Sequence, residues 1–250
     1  MTYNDVGVIL KRRETGEDSR IYHIYTREHG KIEAAAQGVH KIKSKLAGHL
    51  EPLTFGEFMF ANGHHIERLI QARVRNSFKN FKEDLTRLGQ AGFVADLADL
   101  LTKQNVKDEK VFDLVGKTLE ILDKEQSVNN LEQIFAIKLM QLLGFELRLD
   151  SCVLCRRQTE SSLSTLIDSV KGGMICGTCG AEASPGSILA SSLTLGIIKD
   201  VFSMSLDDLH CFEMPELVGR EFKDFVSAYT EAHLEFKPKS RYFLEFATNN

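Results

Sequence analysis

The sequence predicts an α+β protein of several modules, in which a small N-terminal β-barrel precedes an α-helical region with an embedded four-cysteine module. Three observations predict this architecture. Apolar residues alternate between turn signals up to about residue 80, a helical apolar period begins at Phe81, and two cysteine pairs lie at about 150–182. We therefore expect one domain at 1–80 and a second at 81–250.

Five short strands are predicted in the first domain, because segments rich in β-branched and aromatic residues alternate there with turn residues. The strands are Val6–Arg13, Arg20–Thr26, Lys31–Gln37, Leu53–Ala61 and Ile66–Asn76. The Asn62-Gly63 pair predicts a hairpin between the last two. Five such strands favour an OB-type barrel, an architecture that also binds oligonucleotides.

The second domain is predicted to be mainly helical, because its apolar residues recur at steps of three and four. A first buried face is predicted from Phe81, Leu85 and Leu88 onward to Leu101. The other predicted helices are Glu109–Glu125, Leu131–Leu143, Ser191–Met204 and Pro215–Phe236. Asp108 is a candidate N-cap and Gly144 a candidate C-cap.

The charge is distributed unevenly along the 250 residues, whose net charge is -4. Residues 1–80 carry 13 Lys and Arg against 9 Asp and Glu, or +4, and the remainder carries 18 against 26, or -8. A phosphate-binding surface is therefore expected in the first third. No secretory signal is recognisable, and the longest uncharged stretch is shorter than a membrane span. We expect a cytoplasmic protein with no membrane partner.

The cysteine module predicts a structural zinc site, with one ion per chain. Cys152 and Cys155 form one CxxC pair, and Cys176 and Cys179 form a second pair 20 residues later. Two such turns supply the four thiolates of a closed tetrahedral site. Disulfides, free thiols and a redox dithiol are the alternatives. Cys211 is left over as a small core residue.

The two cysteine turns differ in composition. Gly177 and Gly180 are expected to give the second cysteine turn backbone freedom, whereas Arg156 stands where glycine would be easier in the first.

A catalytic zinc is a further alternative, because His65 and Glu67 match the H-x-E signature of zinc deaminases. Four thiolates would leave no open position for water, which disfavours a zinc enzyme. The chain also lacks GxxxxGK[ST] and GxSxG motifs, so we expect no catalytic residues.

A basic segment supplies the candidate DNA contacts. Lys41, Lys43 and Lys45 alternate along the chain, so an extended backbone would place their ammonium groups on one side, where they could contact successive phosphates. A solvated loop is the alternative. Further candidate contacts in the same domain are Arg12, Arg13 and Arg27. Aromatic residues of the strands could stack on bases but are more typical of a core, so none is assigned a stacking role: Tyr22, Tyr25, Phe58 and Phe60.

A series of short segments recurs in a characteristic order along the chain: Glu17-Asp18-Ser19, Thr26 to Lys31, Gln37-Gly38 with the basic residues up to Lys45, Leu50 to Leu53, both CxxC pairs and Lys237 to Arg241. In this order the segments resemble RecO, the bacterial DNA repair and recombination mediator family, over nearly the whole chain. The resemblance implies an OB-fold, a helical domain with a zinc ribbon, and binding of single- and double-stranded DNA.

The resemblance further implies strand annealing and, together with RecR, loading of RecA onto DNA coated by single-stranded DNA-binding protein. It also implies contact with the C-terminal tail of that protein and association with the bacterial nucleoid. The carried-over DNA contact rests on Lys41, Lys43 and Lys45. A different class of function, an RNA-binding or transcription-associated protein with an OB-fold and a zinc ribbon, remains the alternative.

Overall fold

The computed structural model describes residues 1–15, 19–37, 50–63, 65–124, 130–158, 164–211, 214–234 and 240. The chain forms two compact units, Met1–Ser127 with Pro238–Asn250, and Val128–Lys237. Within the first unit, helices follow the barrel and pack against it. The boundary between the two compact units therefore lies near residue 127, whereas the change from strands to helices lies near residue 80.

Five strands form a closed barrel in the first unit: β1 (Thr2–Glu14), β2 (Ser19–Thr26), β3 (Gly30–Gln37), β4 (Phe55–Ala61) and β5 (Glu67–Asn76). Their order around the barrel is β1-β2-β3-β5-β4, and β4 closes it by pairing with β1. All neighbours are antiparallel except β3 and β5, which run parallel. This topology confirms the predicted five-stranded barrel.

The barrel forms because alternate side chains of its strands point inward. In β3, Ile32, Ala34 and Ala36 are buried while Lys31, Glu33 and Ala35 remain partly exposed, as a period of two requires. The aromatic residues that were considered for base stacking are all buried, at 0 to 2% exposure: Tyr22, Tyr25, Phe58 and Phe60. They are therefore core residues.

Three helices complete the described part of the first unit: α1 (Lys79–Lys82), α2 (Leu85–Leu101) and α3 (Glu109–Lys124). The predicted helix from Phe81 is interrupted because Asp84 caps a new helix, its carboxylate accepting a hydrogen bond from Arg87 N. Leu85 consequently lies in the first turn and is 61% exposed, so its predicted burial is wrong. Asp108 caps α3 as predicted, accepting from Lys110 N and Val111 N.

The second unit combines three α-helices with a small antiparallel sheet. The helices are α4 (Leu131–Leu142), α5 (Ser192–Ser203) and α6 (Glu216–Glu231), and the sheet has the order β7 (Gly173–Ile175), β6 (Ser164–Asp168), β8 (Ile188–Ser191). Two 3-10 helices, Gly177–Glu182 and Leu206–Cys211, lie between them. The first ten residues of α4 are buried on all sides, so α4 is the centre of this unit.

The end of α4 agrees with the sequence, and a glycine lies in the turn of the hairpin that β6 and β7 form. Gly144, at φ 86°, follows α4 and donates from its N–H to the Gln141 carbonyl, as a C-terminal cap requires. Gly172, at φ 72°, lies in the turn that joins β6 to β7. Within the described residues, none of the helices is both long enough and apolar enough to cross a membrane.

Candidate functional site

The four predicted metal ligands come together in the second unit. The sulfur atoms of Cys152, Cys155, Cys176 and Cys179 all lie within 4.8 Å of one another. The distance from Cys155 Sγ to Cys176 Sγ is 3.7 Å. A tetrahedron with metal–sulfur bonds of about 2.3 Å has edges of about 3.8 Å, whereas a disulfide bond is about 2.05 Å long. The four cysteines are free thiols, so the cluster has the dimensions of a metal site.

Backbone hydrogen bonds hold the two cysteine turns. Arg156 N donates to the Cys152 carbonyl at 3.0 Å, and Cys179 N donates to the Cys176 carbonyl at 3.0 Å. Val153 N donates to the carbonyl of Met174 in β7, which ties the first turn to the hairpin that leads to the second. Each pair of thiols is thus presented by a rigid turn, and the sheet fixes one turn relative to the other.

The electrostatics of the cluster favour the thiolate at Cys152 and Cys176 and the thiol at Cys179. Burial alone would raise the pKa of Cys152, but backbone N–H groups of Cys155, Cys176 and Leu154 point at its sulfur and lower the pKa to about 6. The N–H of Cys179 likewise lowers the pKa of Cys176. The Cys179 thiol donates its proton to Cys176, which raises the pKa of Cys179 to about 12. Metal-free thiols would therefore share protons that a bound cation would displace.

The backbone conformation corrects one expectation about these turns. Gly177 and Gly180 lie within a 3-10 helix, and neither is among the glycines of positive φ. Arg156, in contrast, has φ 63°, in the left-handed region that glycine occupies most easily. The special backbone position therefore belongs to the first turn.

The deaminase alternative gains no support from the placement of its residues. His65 and Glu67 belong to the first compact unit, whereas the thiol cluster belongs to the second. Among the described residues, the metal-capable cluster contains cysteines alone. Four thiols complete a tetrahedral set without a histidine or a carboxylate.

The three candidate arginines of the barrel all have acidic neighbours. Arg12 Nη1 lies 2.6 Å from Glu51 Oε2, and Arg13 Nη2 lies 4.0 Å from Glu33 Oε2. Arg27 Nη2 lies 2.9 Å from Asp113 Oδ1 in α3, and its guanidinium lies 4.7 Å from the centre of the Phe112 ring. Arg27 therefore links the barrel to α3, whereas Arg13 has a 57% exposed side chain and only a long ion pair.

Lys41, Lys43 and Lys45 lie outside the described residues, but the residues that flank their segment are described. Gln37, at the end of β3, is paired with Ser19 at the start of β2. Glu51 is held by Arg12, which in β1 is paired with Tyr22 of β2. Both flanks of the lysine segment therefore lie at the end of the barrel where β1 ends and β2 begins, the end that carries Arg12 and Arg13.

A buried carboxylate that the sequence analysis missed joins α2 to the barrel. Asp99 of α2 is 8% exposed, and its Oδ1 lies 2.7 Å from His23 Nδ1. Its carboxylate also lies 3.5 Å from Lys31 Nζ and 3.8 Å from Lys11 Nζ. Three neighbouring strands thus each direct a basic side chain to the Asp99 carboxylate of α2. No sequence motif marks this cluster, because its members come from four separate elements.

Comparisons with known proteins match nearly the whole chain. The family model described as recombination protein O N terminal matches residues 1–78, and the model described as recombination protein O C terminal matches residues 82–242. The DNA repair protein RecO of Pelotomaculum thermopropionicum is 30% identical over 97% of this chain and 93% of its own length. The proteins of the same name from Alkaliphilus metalliredigens and Clostridium perfringens are 27% and 28% identical, over 92% and 96% of both chains.

Proposed function

Because this chain belongs to the RecO family of DNA repair proteins, we propose that it binds single- and double-stranded DNA through the basic end of its barrel. The observation that carries this proposal is the convergence at that end. Arg12 and Arg13 project from β1, and the flanks of the segment with Lys41, Lys43 and Lys45 lie beside them. Phosphates that reach this end would meet several cations together.

The burial of the barrel aromatics supports binding without sequence preference. Tyr22, Tyr25, Phe58 and Phe60 are enclosed in the core and offer no ring to a base. Contacts from lysine and arginine to phosphates fix the position of a strand but carry no base information. We therefore expect affinity that depends strongly on salt and weakly on sequence, which suits a protein that acts on any damaged region.

The proposed role is that of a recombination mediator. As the family implies, the protein would anneal complementary strands and, with RecR, help load RecA where single-stranded DNA-binding protein covers the DNA, contacting that protein's C-terminal tail. This work needs no bond chemistry in the protein itself, which fits the absence of a recognisable catalytic motif in the sequence. Its proposed location is the bacterial cytoplasm, at the nucleoid.

The proposed cofactor is one structural zinc ion, held by Cys152, Cys155, Cys176 and Cys179. Zinc would supply a cross-link between the two cysteine turns and no reactive position. The four free thiols at tetrahedral spacing, and the N–H groups that lower the pKa of Cys152 and Cys176, support this assignment. Two turns that are separated by 20 residues would then be fixed to each other in the folded state.

A competition experiment tests the proposed function. Labelled single-stranded DNA is bound to the protein and displaced by unlabelled DNA or RNA of the same sequence, and annealing of complementary DNA strands is followed in parallel. We expect DNA to bind and to anneal faster with the protein than without it. Absence of DNA binding at low salt would overturn the proposal, and clearly tighter binding of RNA would favour the RNA-binding alternative.

A further inference from the structure

A polar pocket lies beside the four-cysteine cluster in the second unit. Its volume is about 410 Å³, and charged side chains line most of it: Glu146, Arg148, Asp150, Arg156 and Lys171. Three segments form its walls and are joined by backbone hydrogen bonds. Arg148 N donates to the Gly172 carbonyl, Met174 N donates to the Arg148 carbonyl, and Val153 N donates to the Met174 carbonyl. The pocket is thus built on the framework that positions the cysteines.

Arg156 lines this pocket from a backbone conformation that costs energy. At φ 63°, its Cβ is crowded in a way that glycine would avoid. A non-glycine residue in the left-handed region is an observed strain, and such strain recurs at binding sites. Glycine would avoid this cost, so the backbone at position 156 should tolerate Arg156→Gly well.

The two arginines of the pocket are free to bind. Within the described residues, neither Arg148 nor Arg156 forms a side-chain hydrogen bond or an ion pair, and both are exposed. Lys171 differs, because its ammonium group already donates to the Glu182 carbonyl at 2.6 Å and to Ser184 Oγ at 3.2 Å, and lies 3.5 Å from Asp168. The available positive charge of the pocket is therefore carried by two guanidinium groups.

The chemistry of two guanidinium groups at one pocket selects an oxyanion. Guanidinium is planar and donates in pairs to phosphate or carboxylate oxygens. The acidic residues of the pocket moderate its charge. Asp150 has a side chain that is 95% exposed, and its carboxylate lies 3.9 Å from Lys199 Nζ, while Glu146 remains a like charge for any anion. A site with this balance would hold a single phosphate group and would not act as a general polyanion surface.

We propose that this pocket binds one backbone phosphate of a DNA strand through Arg148 and Arg156, as a contact separate from the basic end of the barrel. The inference rests on the proposed DNA binding and extends it to the second unit. It also gives the Arg156 side chain a role at a position whose backbone conformation favours glycine. The cysteine framework would hold the two side chains in place, so that little conformational entropy is lost when the phosphate binds.

The experiment compares three variants of the full-length, metal-loaded protein. Arg156→Gly removes the guanidinium from a backbone that glycine fits well, Arg148→Ala removes the second guanidinium, and Arg157→Ala is the matched control, an exposed neighbour of the same charge that does not line the pocket. Single-stranded DNA binding is titrated across salt. Melting temperature is measured in inorganic phosphate and in chloride of equal ionic strength.

For R156G and R148A we expect DNA affinity to fall roughly 3- to 10-fold, and the slope of log K against log salt to become shallower by about 0.7, the value for one lost phosphate contact. R157A should behave as the unaltered protein does. R156G should melt no lower than R157A and should keep its metal, which separates loss of the contact from loss of the fold.

Other outcomes would overturn the inference in distinguishable ways. Equal DNA binding by all variants would remove the pocket contact and leave the proposed function standing. Equal losses in all three variants would indicate a general charge effect. Loss of phosphate-dependent stabilisation in R156G and R148A, with unchanged DNA binding, would assign the pocket to a free phosphate. No DNA binding by the unaltered protein would overturn the proposed function and this contact together.

Discussion

Arg12 Nη1 donates a hydrogen bond of 2.6 Å to Glu51 Oε2, so a candidate DNA contact is neutralised by the residue that follows the lysine segment. Both side chains are accessible, at 34% and 55% exposure, so a phosphate can compete with the carboxylate. DNA would then displace Glu51 from Arg12. The free energy needed to break the ion pair would be subtracted from the free energy of DNA binding. Because exposed ion pairs are weak, the effect should be small but measurable.

The first prediction concerns Glu51→Gln. Removing this carboxylate should raise DNA affinity roughly 2- to 5-fold at low salt, because Arg12 loses its competitor and the surface loses one repulsive charge. Fluorescence anisotropy with a short oligonucleotide measures the effect. The matched control is Glu120→Gln, which removes an exposed carboxylate of α3 that is paired with Lys124. Weaker DNA binding by E51Q would argue that the ion pair organises the site.

The second prediction concerns the triple replacement of Lys41, Lys43 and Lys45 by Ala. Affinity should fall for unrelated DNA sequences alike, and the salt slope should become shallower by roughly two to three units, since each lost phosphate contact removes about 0.7 to 0.9. Zinc content should not change. The measurement is a DNA titration across salt, after circular dichroism has shown that the variant folds.

A control with the same loss of charge sharpens this test. Lys103, Lys110 and Lys223 are exposed on other elements, and their joint replacement by Ala should change the slope much less. An unaltered slope in the first triple variant would mean that the segment is a solvated loop. Losses that depend on sequence would instead indicate contacts with bases.

The third prediction concerns the metal. Elemental analysis should find about one zinc per chain, and Cys176→Ser or chelation should lower the melting temperature of the second unit by roughly 10 °C or more, because a structural ion contributes directly to folding. Cys211→Ser removes the fifth thiol of the chain and, as a control, should leave the zinc content unchanged. Metal-free protein in which all four thiols react readily while the fold persists would refute the assignment.

The fourth prediction concerns the tail of single-stranded DNA-binding protein. A labelled peptide of that C-terminal tail should bind at low salt and dissociate as salt rises, because such tails join acidic residues to an apolar end and need basic and apolar groups together. A peptide without its final apolar residues is the control. No change of anisotropy with the intact tail would remove this partner from the proposal.

The fifth prediction concerns Asp99. Burial opposes its ionisation, but the hydrogen bond from His23 and the charges of Lys31 and Lys11 outweigh burial and lower the pKa of this carboxyl. A lowered pKa stabilises the fold above the ordinary value of about 3.9, and the contribution is lost as pH falls through the folded-state pKa. Asp99→Asn should therefore cost about 2–4 kcal/mol of unfolding free energy at neutral pH.

Urea denaturation at several pH values checks this prediction, with Asp113→Asn as a control because its ion pair with Arg27 is exposed on both sides. The control should cost less than about 1 kcal/mol. The difference between D99N and the unaltered protein should shrink below pH 4. A cost that is the same at every pH would mean that shape, rather than charge, explains the role of Asp99.

The features that sequence could predict are those set by local chemistry. Alternation and turn residues located all five barrel strands, and Asp108 and Gly144 marked helix ends because capping depends on neighbouring residues. The cysteine spacing predicted the thiol cluster in the same way. Each of these signals lies within a few positions of its effect.

Sequence failed where distant elements decide the outcome. Leu85 fits the helical period, yet it is exposed because Asp84 starts a new helix there. Strand β8 was missed, because it is short and its hydrogen bonds come from β6, about twenty positions earlier in the chain. Asp99 receives its partners from three strands. Residues 38–49 lie outside the description, so the lysine contacts remain a prediction.

The parallel pairing of β3 and β5 is the shortest junction between neighbouring strands of the barrel. Only Ala34 with Glu67 and Ala35 with Arg68 are paired across this junction, whereas β1 and β4 are paired through seven residues. Few backbone hydrogen bonds therefore hold the barrel together at this junction. We expect thermal opening of the barrel to begin there, so the amides of Ala34 and Ala35 should exchange with solvent sooner than those in the middle of β2.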